Sequence, residues 1–299
     1  MKVTSVCLSP TIQRTVSFKT FLVNKVNRSE KYGVWASGKA VNAARVLNQL
    51  EAGSVRVVCP LGEENQKRFT EFAEKDSLLL SPVTIPGNTR ECWTVLDKTA
   101  KTTTELVVGE PAVEKMPQNK VDELMDAVNE SLSDSDALLI AGSRPAIWPD
   151  NLSCDICKAA CDAGKITLVD FWGDDLKRTL KACEPTVVKI NEEEFFSTFG
   201  GKSGVAGLKS ALTTASKKHN TIFIVTRGDK ATYAAQKGKV FEADTEKDLK
   251  IVNTTACGDA FAAGFLHEYL KSGDVQAALK KGTWCAARNA ENECPGSLQ

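Results

Sequence analysis

Ala137-Leu-Leu-Ile-Ala141, Ile166-Thr-Leu-Val-Asp170, Thr186-Val-Val-Lys189 and Thr221-Ile-Phe-Ile-Val-Thr226 are short apolar runs separated by segments of helical periodicity. Those segments lie near 117 to 132, from about 149, in a short piece before 186, and near 203 to 217. Strands this apolar are buried on both faces, and intervening helices make them parallel. Right-handed crossovers then place the strand carboxyl ends, and any ligand site, along one edge. Residues 3 to 8 and 55 to 59 read as further strands. Residues 39 to 50 and 65 to 76 read as helices, 231 to 243 as a hairpin, and the last two helices begin near 257 and 274. Two stretches break the alternation, near 10 to 35 and 86 to 110. In the second, Cys92-Trp-Thr-Val-Leu96 and Thr102-Thr-Thr-Glu-Leu-Val-Val108 alternate in β fashion. The expectation is one α/β unit over 1–299, a mainly parallel sheet with helices on both faces, plus a small β-sheet lid built from those two stretches.

The chain has 299 residues, with 38 basic and 38 acidic side chains, 42% hydrophobic and 25% charged residues. That balance excludes general disorder and gives no electrostatic footprint for nucleic acid. No apolar run reaches the roughly 18 residues of a membrane helix, so no membrane partner is expected. The first residues read as a strand without an export signal, which points to the cytoplasm. Ten cysteines in a chain of this length read as free thiols rather than a disulfide framework. Cys154, Cys157 and Cys161 share one helical face. A structural metal site wants a second ligand-bearing element, and His219 and His267 are the only imidazoles, so the trio reads as a buried apolar face.

Four constellations carry chemistry. Ala36-Ser-Gly-Lys-Ala-Val-Asn42 opens a helix with small residues, a cation (Lys39) and an amide (Asn42); it is either an anion-binding entrance or an ordinary helix start. Asn253-Thr-Thr-Ala-Cys-Gly-Asp259 opens another helix. Asp259 there could take a proton beside an anion hole made by Ala256, Cys257 and Gly258, or simply favour the helix dipole. Lys189-Ile-Asn-Glu-Glu-Glu194 offers Asn191 and Glu194 three apart, suited either to Mg²⁺ through water or to capping an acidic first turn. Thr226-Arg-Gly-Asp229 is a nucleotide loop or a plain turn.

The order and spacing of these segments resemble the ribokinase-like (PfkB) family of sugar kinases over nearly the whole chain. The family's Gly-Gly-Lys-Gly-x-Asn corresponds to Ser37-Gly-Lys-Ala-Val-Asn42, and its Thr-x-Gly-Ala-Gly-Asp to Thr254-Thr-Ala-Cys-Gly-Asp259. Gly-Ser-Leu-Pro corresponds to Gly142-Ser-Arg-Pro145, and Lys-Pro-Asn-x-x-Glu to Lys189-Ile-Asn-Glu-Glu-Glu194. Val26-Asn-Arg28, Gly38-Lys39, Arg45-Val-Leu47, Thr89-Arg90 and Thr103-Thr-Glu-Leu106 resemble the branch that phosphorylates sugar phosphates, the 1-phosphofructokinases and tagatose-6-phosphate kinases.

The resemblance implies a kinase using ATP and Mg²⁺, with Asp259 as general base and Ala256, Cys257 and Gly258 holding the transferring group. It implies a nucleotide beside Lys189, Asn191, Thr226, Arg227, Gly228 and Gly258, with metal held by Asn191 and Glu194 mainly through water. The acceptor would meet Gln13, Arg28, Gly38, Lys39, Asn42 and Arg90, and the cations suit a phosphorylated sugar. Fructose 1-phosphate leads. Tagatose 6-phosphate, fructose 6-phosphate, an unphosphorylated sugar or nucleoside, and a catalytically silent sugar-phosphate binder are the alternatives. A homodimer through the lid sheet is also implied. Gln13 stands where the family has Asp, Ala40 and Ala256 where it has Gly, Ile190 where it has Pro, and Arg144 where it has Leu.

Overall fold

A computed structural model describes residues 1–29, 31–109, 112–201 and 204–299, so the end of the expected lid stretch at 110 lies outside the described residues. The main sheet has nine strands in the order β13-β12-β11-β10-β9-β8-β1-β4-β5. Its parallel part comprises β1 (Val3–Val6), β4 (Val55–Gly62), β5 (Leu79–Ile85), β8 (Ala137–Ala141), β9 (Ile166–Asp170), β10 (Val187–Asn191) and β11 (Ile222–Arg227). The hairpin β12 (Lys230–Gln236) and β13 (Lys239–Ala243) adds an antiparallel end. Every residue of β8 is buried, as the unbroken apolar run requires.

Alternation along each strand divides the core. Leu139 packs with Ala40, Val41, Phe261 and Phe265 on one face. Leu138 and Ile140 pack with Leu124, Ile156, Phe195 and Leu208 on the other. The first face carries α1 (Lys39–Leu50), α2 (Gln66–Lys75), α8 (Cys257–Ser272) and α9 (Val275–Ala290); the second carries α3 (Gln118–Ser133), α4 (Leu152–Asp162), α5 (Gly173–Ala182), α6 (Glu192–Phe199) and α7 (Val205–His219). Helix α8 is buried without a break from Asp259 to His267, which holds its first turn rigidly against α1 and α9. Among the described residues, no helix is long and apolar enough to cross a membrane.

The lid is a separate four-stranded sheet, β3-β2-β6-β7, from β2 (Thr11–Phe18), β3 (Lys31–Ser37), β6 (Glu91–Asp97) and β7 (Thr102–Val108). The two expected stretches therefore do join, and β2 and β6 pair in parallel at the join.

Two elements depart from expectation. Strand β5 was not anticipated, because Ser81 and Pro82 interrupt its apolar run. It is an edge strand, where a proline's missing N–H is tolerated. The acidic first turn after β10 opens the eight-residue helix α6. Helix α4 starts at Leu152 rather than near 149, because Pro149 begins a turn whose carbonyl accepts from the Leu152 N–H.

Candidate active site

The carboxyl ends of the parallel strands meet the amino ends of α1 and α8 along one edge of the sheet. Strand β9 delivers Asp170, which has no exposed surface. Its carboxylate accepts from Lys189 Nζ of β10 at 2.8 Å and from Lys39 Nζ of α1 at 3.2 Å. Burial alone would raise this carboxyl; the two ammonium groups outweigh it and hold the group below its ordinary range. Asp170 in turn raises Lys39 against the effect of burial, with Asp259 and Glu194 adding to it. Glu194 Oε1 stands 3.7 Å from Lys39 Nζ.

Asp259 is buried in the first turn of α8 and accepts from Asn42 Nδ2 at 2.9 Å. The Asn42 amide has one orientation available. Its Oδ1 accepts from Ser37 Oγ at 2.8 Å and from Arg45 at 3.3 Å, so its NH₂ must face Asp259. Arg45 is anchored by Pro295 O, Ala36 O and Asp76. Burial pushes the Asp259 carboxyl up to about 6, and Asp170 adds to the rise; Lys39, the Asn42 hydrogen bond and Lys189 oppose it. A carboxylate tuned close to neutrality can take a proton at physiological pH.

Gly258 sits beside that carboxylate, where a side chain would displace the Lys189 ammonium group. A Cβ there would lie 2.8 Å from Lys189 Nζ. First-turn N–H groups have no intrahelical acceptor, so Gly258 and Asp259 present donors next to an ammonium group, a cradle for an anion. The Cys257 N–H is partly engaged, donating to Thr254 O at 3.3 Å. Burial raises the Cys257 thiol. Ala256 caps α8 with φ 67 and ψ 8, left-handed geometry that costs an alanine roughly 1–2 kcal/mol. The turn is pinned from outside. Asn289 Nδ2 donates to Thr255 O at 2.8 Å, and Asn253 Oδ1 accepts from the Thr255 N–H at 3.0 Å. Gly38, at the start of α1, has φ 118, and a Cβ there would lie 2.7 Å from Cys7 Sγ.

The remaining expected residues divide. Arg90 is half-buried and donates to Ser9 O at 3.1 Å, while its buried Nε has no partner among the described residues. Gln13 is buried in the lid and donates to Thr94 Oγ1 at 2.5 Å. Arg28 is exposed between β2 and β3 and does not join the cluster. Asn191 and Glu194 form a capping box, Asn191 Oδ1 accepting from Glu194 N at 2.8 Å and Glu194 Oε2 from Asn191 N at 2.9 Å. Direct metal ligation by Asn191 would break that cap; Glu194 keeps Oε1 for a water-mediated contact, so the pair fits Mg²⁺ only through water. Thr226, Arg227, Gly228 and Asn191 line a cleft of about 580 Å³ beside the cluster. Arg227 pairs there with Glu192 at 3.2 Å. Arg144 is held by Asp150, Asp175 and Trp148 O. The lid reaches the site through Thr255 Oγ1, which donates to Glu105 Oε1 at 3.2 Å.

Sequence reasoning missed Asp170 and Asn289. An acid ending a parallel strand was a usable signal for Asp170, since ligands bind at that edge. Asn289 lies in the last turn of α9 and had no local signal.

The chain matches the pfkB family carbohydrate kinases over residues 5–297. It belongs to that family. It is therefore a phosphotransferase acting on a sugar hydroxyl. Tagatose-6-phosphate kinase from Staphylococcus epidermidis is 24% identical over 294 residues, covering 97% of this chain and 93% of its own. The crystal structure of a possible 1-phosphofructokinase from Thermotoga maritima has a TM-score of 0.87 at 21% identity, covering 99% of this chain and 93% of its own. A phosphofructokinase-2 mutant from Escherichia coli has a TM-score of 0.88 at 16% identity, covering 99% and 95%. The two solved structures establish a shared ribokinase-like fold.

The raised Asp259 has a consequence for stability. Its folded value of about 6 exceeds the ordinary 3.8, so the folded state favours the protonated form. That contribution is fully present below pH 3.8 and is lost as pH rises through 6. Asp259→Asn mimics the neutral acid. Urea unfolding of this kinase should show the variant more stable than wild type at pH 8, by up to about 3 kcal/mol, with the gap closing towards pH 4. An equal difference at both pH values would contradict the raised value.

Proposed function

We propose that this kinase transfers the γ-phosphoryl group of ATP to a hydroxyl of a phosphorylated sugar, with fructose 1-phosphate the leading acceptor and fructose 1,6-bisphosphate the product. The observation that carries the reading is the buried Asp259, oriented by Asn42 and adjoining both Lys39 and the first-turn donors of α8. In this reading the acceptor hydroxyl loses its proton to the Asp259 carboxylate while its oxygen bonds to the γ-phosphorus. The bond from that phosphorus to the bridging oxygen breaks, and ADP keeps the electron pair. The N–H groups of Gly258 and its neighbours, with Lys189 behind them, hold the charge on the transferring group. Lys39 is shared among three carboxylates, so it orients and neutralises within the cluster. Arg90, with spare donors beside Ser9, is the cation best placed to receive the acceptor's own phosphate. Gln13 and Gly38 complete the acceptor side.

Thr226, Arg227 and Gly228 line the nucleotide cleft in this reading. Mg²⁺ bound near Glu194 and Asn191 through water would neutralise phosphate charge. The likeness to tagatose-6-phosphate kinase supports a phosphorylated acceptor. Ten free thiols suit a reducing cytoplasm. Trp93, Leu106 and Val107 are exposed on the lid sheet, which supports a homodimer through that sheet. Light scattering should give two subunits; a mass of one subunit would refute this contact.

The reading is tested by ATP consumption with Mg²⁺ against fructose 1-phosphate, fructose 6-phosphate, tagatose 6-phosphate, fructose, ribose and adenosine. Turnover should be confined to one phosphorylated sugar and fall by about 10²–10⁴ in Asp259→Asn. Turnover with only an unphosphorylated acceptor would contradict the assigned acceptor class. Silence across the panel, with thermal stabilisation by a sugar phosphate, would mean a binder without catalysis.

A further inference from the structure

Cys157 and Cys161 lie one turn apart on α4, and Cys183 immediately follows α5. The fold supplies the second element that the cysteine spacing alone lacked. The three Sγ atoms lie within 4.8 Å of one another, and Cys157 and Cys183 are 3.7 Å apart. Three sulfurs at about 2.3 Å from one ion in a trigonal plane would stand about 4.0 Å apart. The free thiols therefore already bracket that arrangement, and closing the widest pair needs a shift of less than about 1 Å. Among the described residues, no imidazole or carboxylate joins the trio. Cys154, on the same helical face, stays outside it with its sulfur near Arg178 O at 3.8 Å.

Burial and charge suit the same chemistry. Cys157 is buried, while Cys161 and Cys183 are partly exposed, so an ion has a way in. Hydrogen bonds from Cys157 and Cys183 favour ionisation at Cys161, lowering it below the ordinary thiol range. Hydrogen bonds to Cys161 and Cys183, with burial, raise Cys157. The cluster is a soft all-sulfur set without hard donors.

We propose that Cys157, Cys161 and Cys183 form a trithiolate site for a soft monovalent cation of the copper(I) class. Binding forms three metal–sulfur bonds, releases the proton of each sulfur that still carries one, and changes no oxidation state. A hard cation is disfavoured by the all-sulfur donor set, and Zn²⁺ lacks a fourth protein ligand. The site lies at the amino ends of β9 and β10, opposite the edge that holds Asp259, and ties the end of α4 to the end of α5. It is independent of the sugar reading.

The test is anaerobic titration of the reduced full-length protein with Cu(I) against a chromophoric Cu(I) chelator. One equivalent should be retained, with a rise in melting temperature. Cys161→Ser and Cys183→Ser should each weaken retention at least about tenfold, while Cys294→Ser, remote from the trio, should not. Equimolar Zn²⁺ should not displace the copper. X-ray absorption on the wild-type copper form gives a readout that no misfolded variant can confuse: three sulfur neighbours are expected. Failure to retain copper, retention unchanged in both variants, displacement by Zn²⁺, or two sulfur neighbours would each overturn the assignment.

Discussion

The active edge depends on one buried carboxylate held between two ammonium groups. Asp170 has no exposed surface, and it draws Lys39 from α1 and Lys189 from β10 onto the end of β9. A buried charge is tolerated only when paired, and removing one partner of such a set leaves the others unpaired at a cost of about 3–5 kcal/mol. Lys189 is thereby fixed, and Lys39, whose side chain is partly exposed, is held at its ammonium end. One stands beside Gly258, and the other faces both Glu194 and Asp259. Three separate elements are thus locked at fixed distances before any ligand arrives, which is the preorganisation that electrostatic catalysis needs.

One strained residue stands at the same edge. Ala256 occupies a left-handed conformation where the family has glycine, and Asn253 and Asn289 hold the preceding residue from two sides. Such strain persists where surrounding contacts over-determine the backbone. The buried body of α8 supplies the rest, because a helix enclosed on every side cannot relax its first turn by tilting. Burial that raises Asp259 and strain that aims the Gly258 donors are two consequences of one packing arrangement.

Much of this was legible in the residue pattern, for identifiable reasons. Strands such as β8 and β9 are continuous apolar runs, and their boundaries at 137–141 and 166–170 matched the structure. Helix α1 was equally clear from its apolar spacing. Strand β5 was hidden by Pro82, and the parallel pairing of β2 with β6 could not be seen because its partners are distant in the chain. At the site, Lys39, Asn42 and Asp259 stand at helix starts, where short-range rules operate. Asp170, Asn289 and Cys183 act through partners far away in sequence. The segment 189–194 left capping and metal binding both open; the capping box is present, which leaves water-mediated contact as the route to Mg²⁺.

The central claim is that Asp259 is a buried base tuned by Asn42 and the lysine–carboxylate cluster. The pH dependence of kcat/KM, measured for wild type and Asn42→Ala with the acceptor that turns over, tests it most directly. Wild type should lose activity below an acid limb near pH 6, and the limb should move upward in Asn42→Ala, because the lost hydrogen bond stabilised the ionised form. Activity flat from pH 5 to 8, or a limb that stays in place in the variant, would contradict the account.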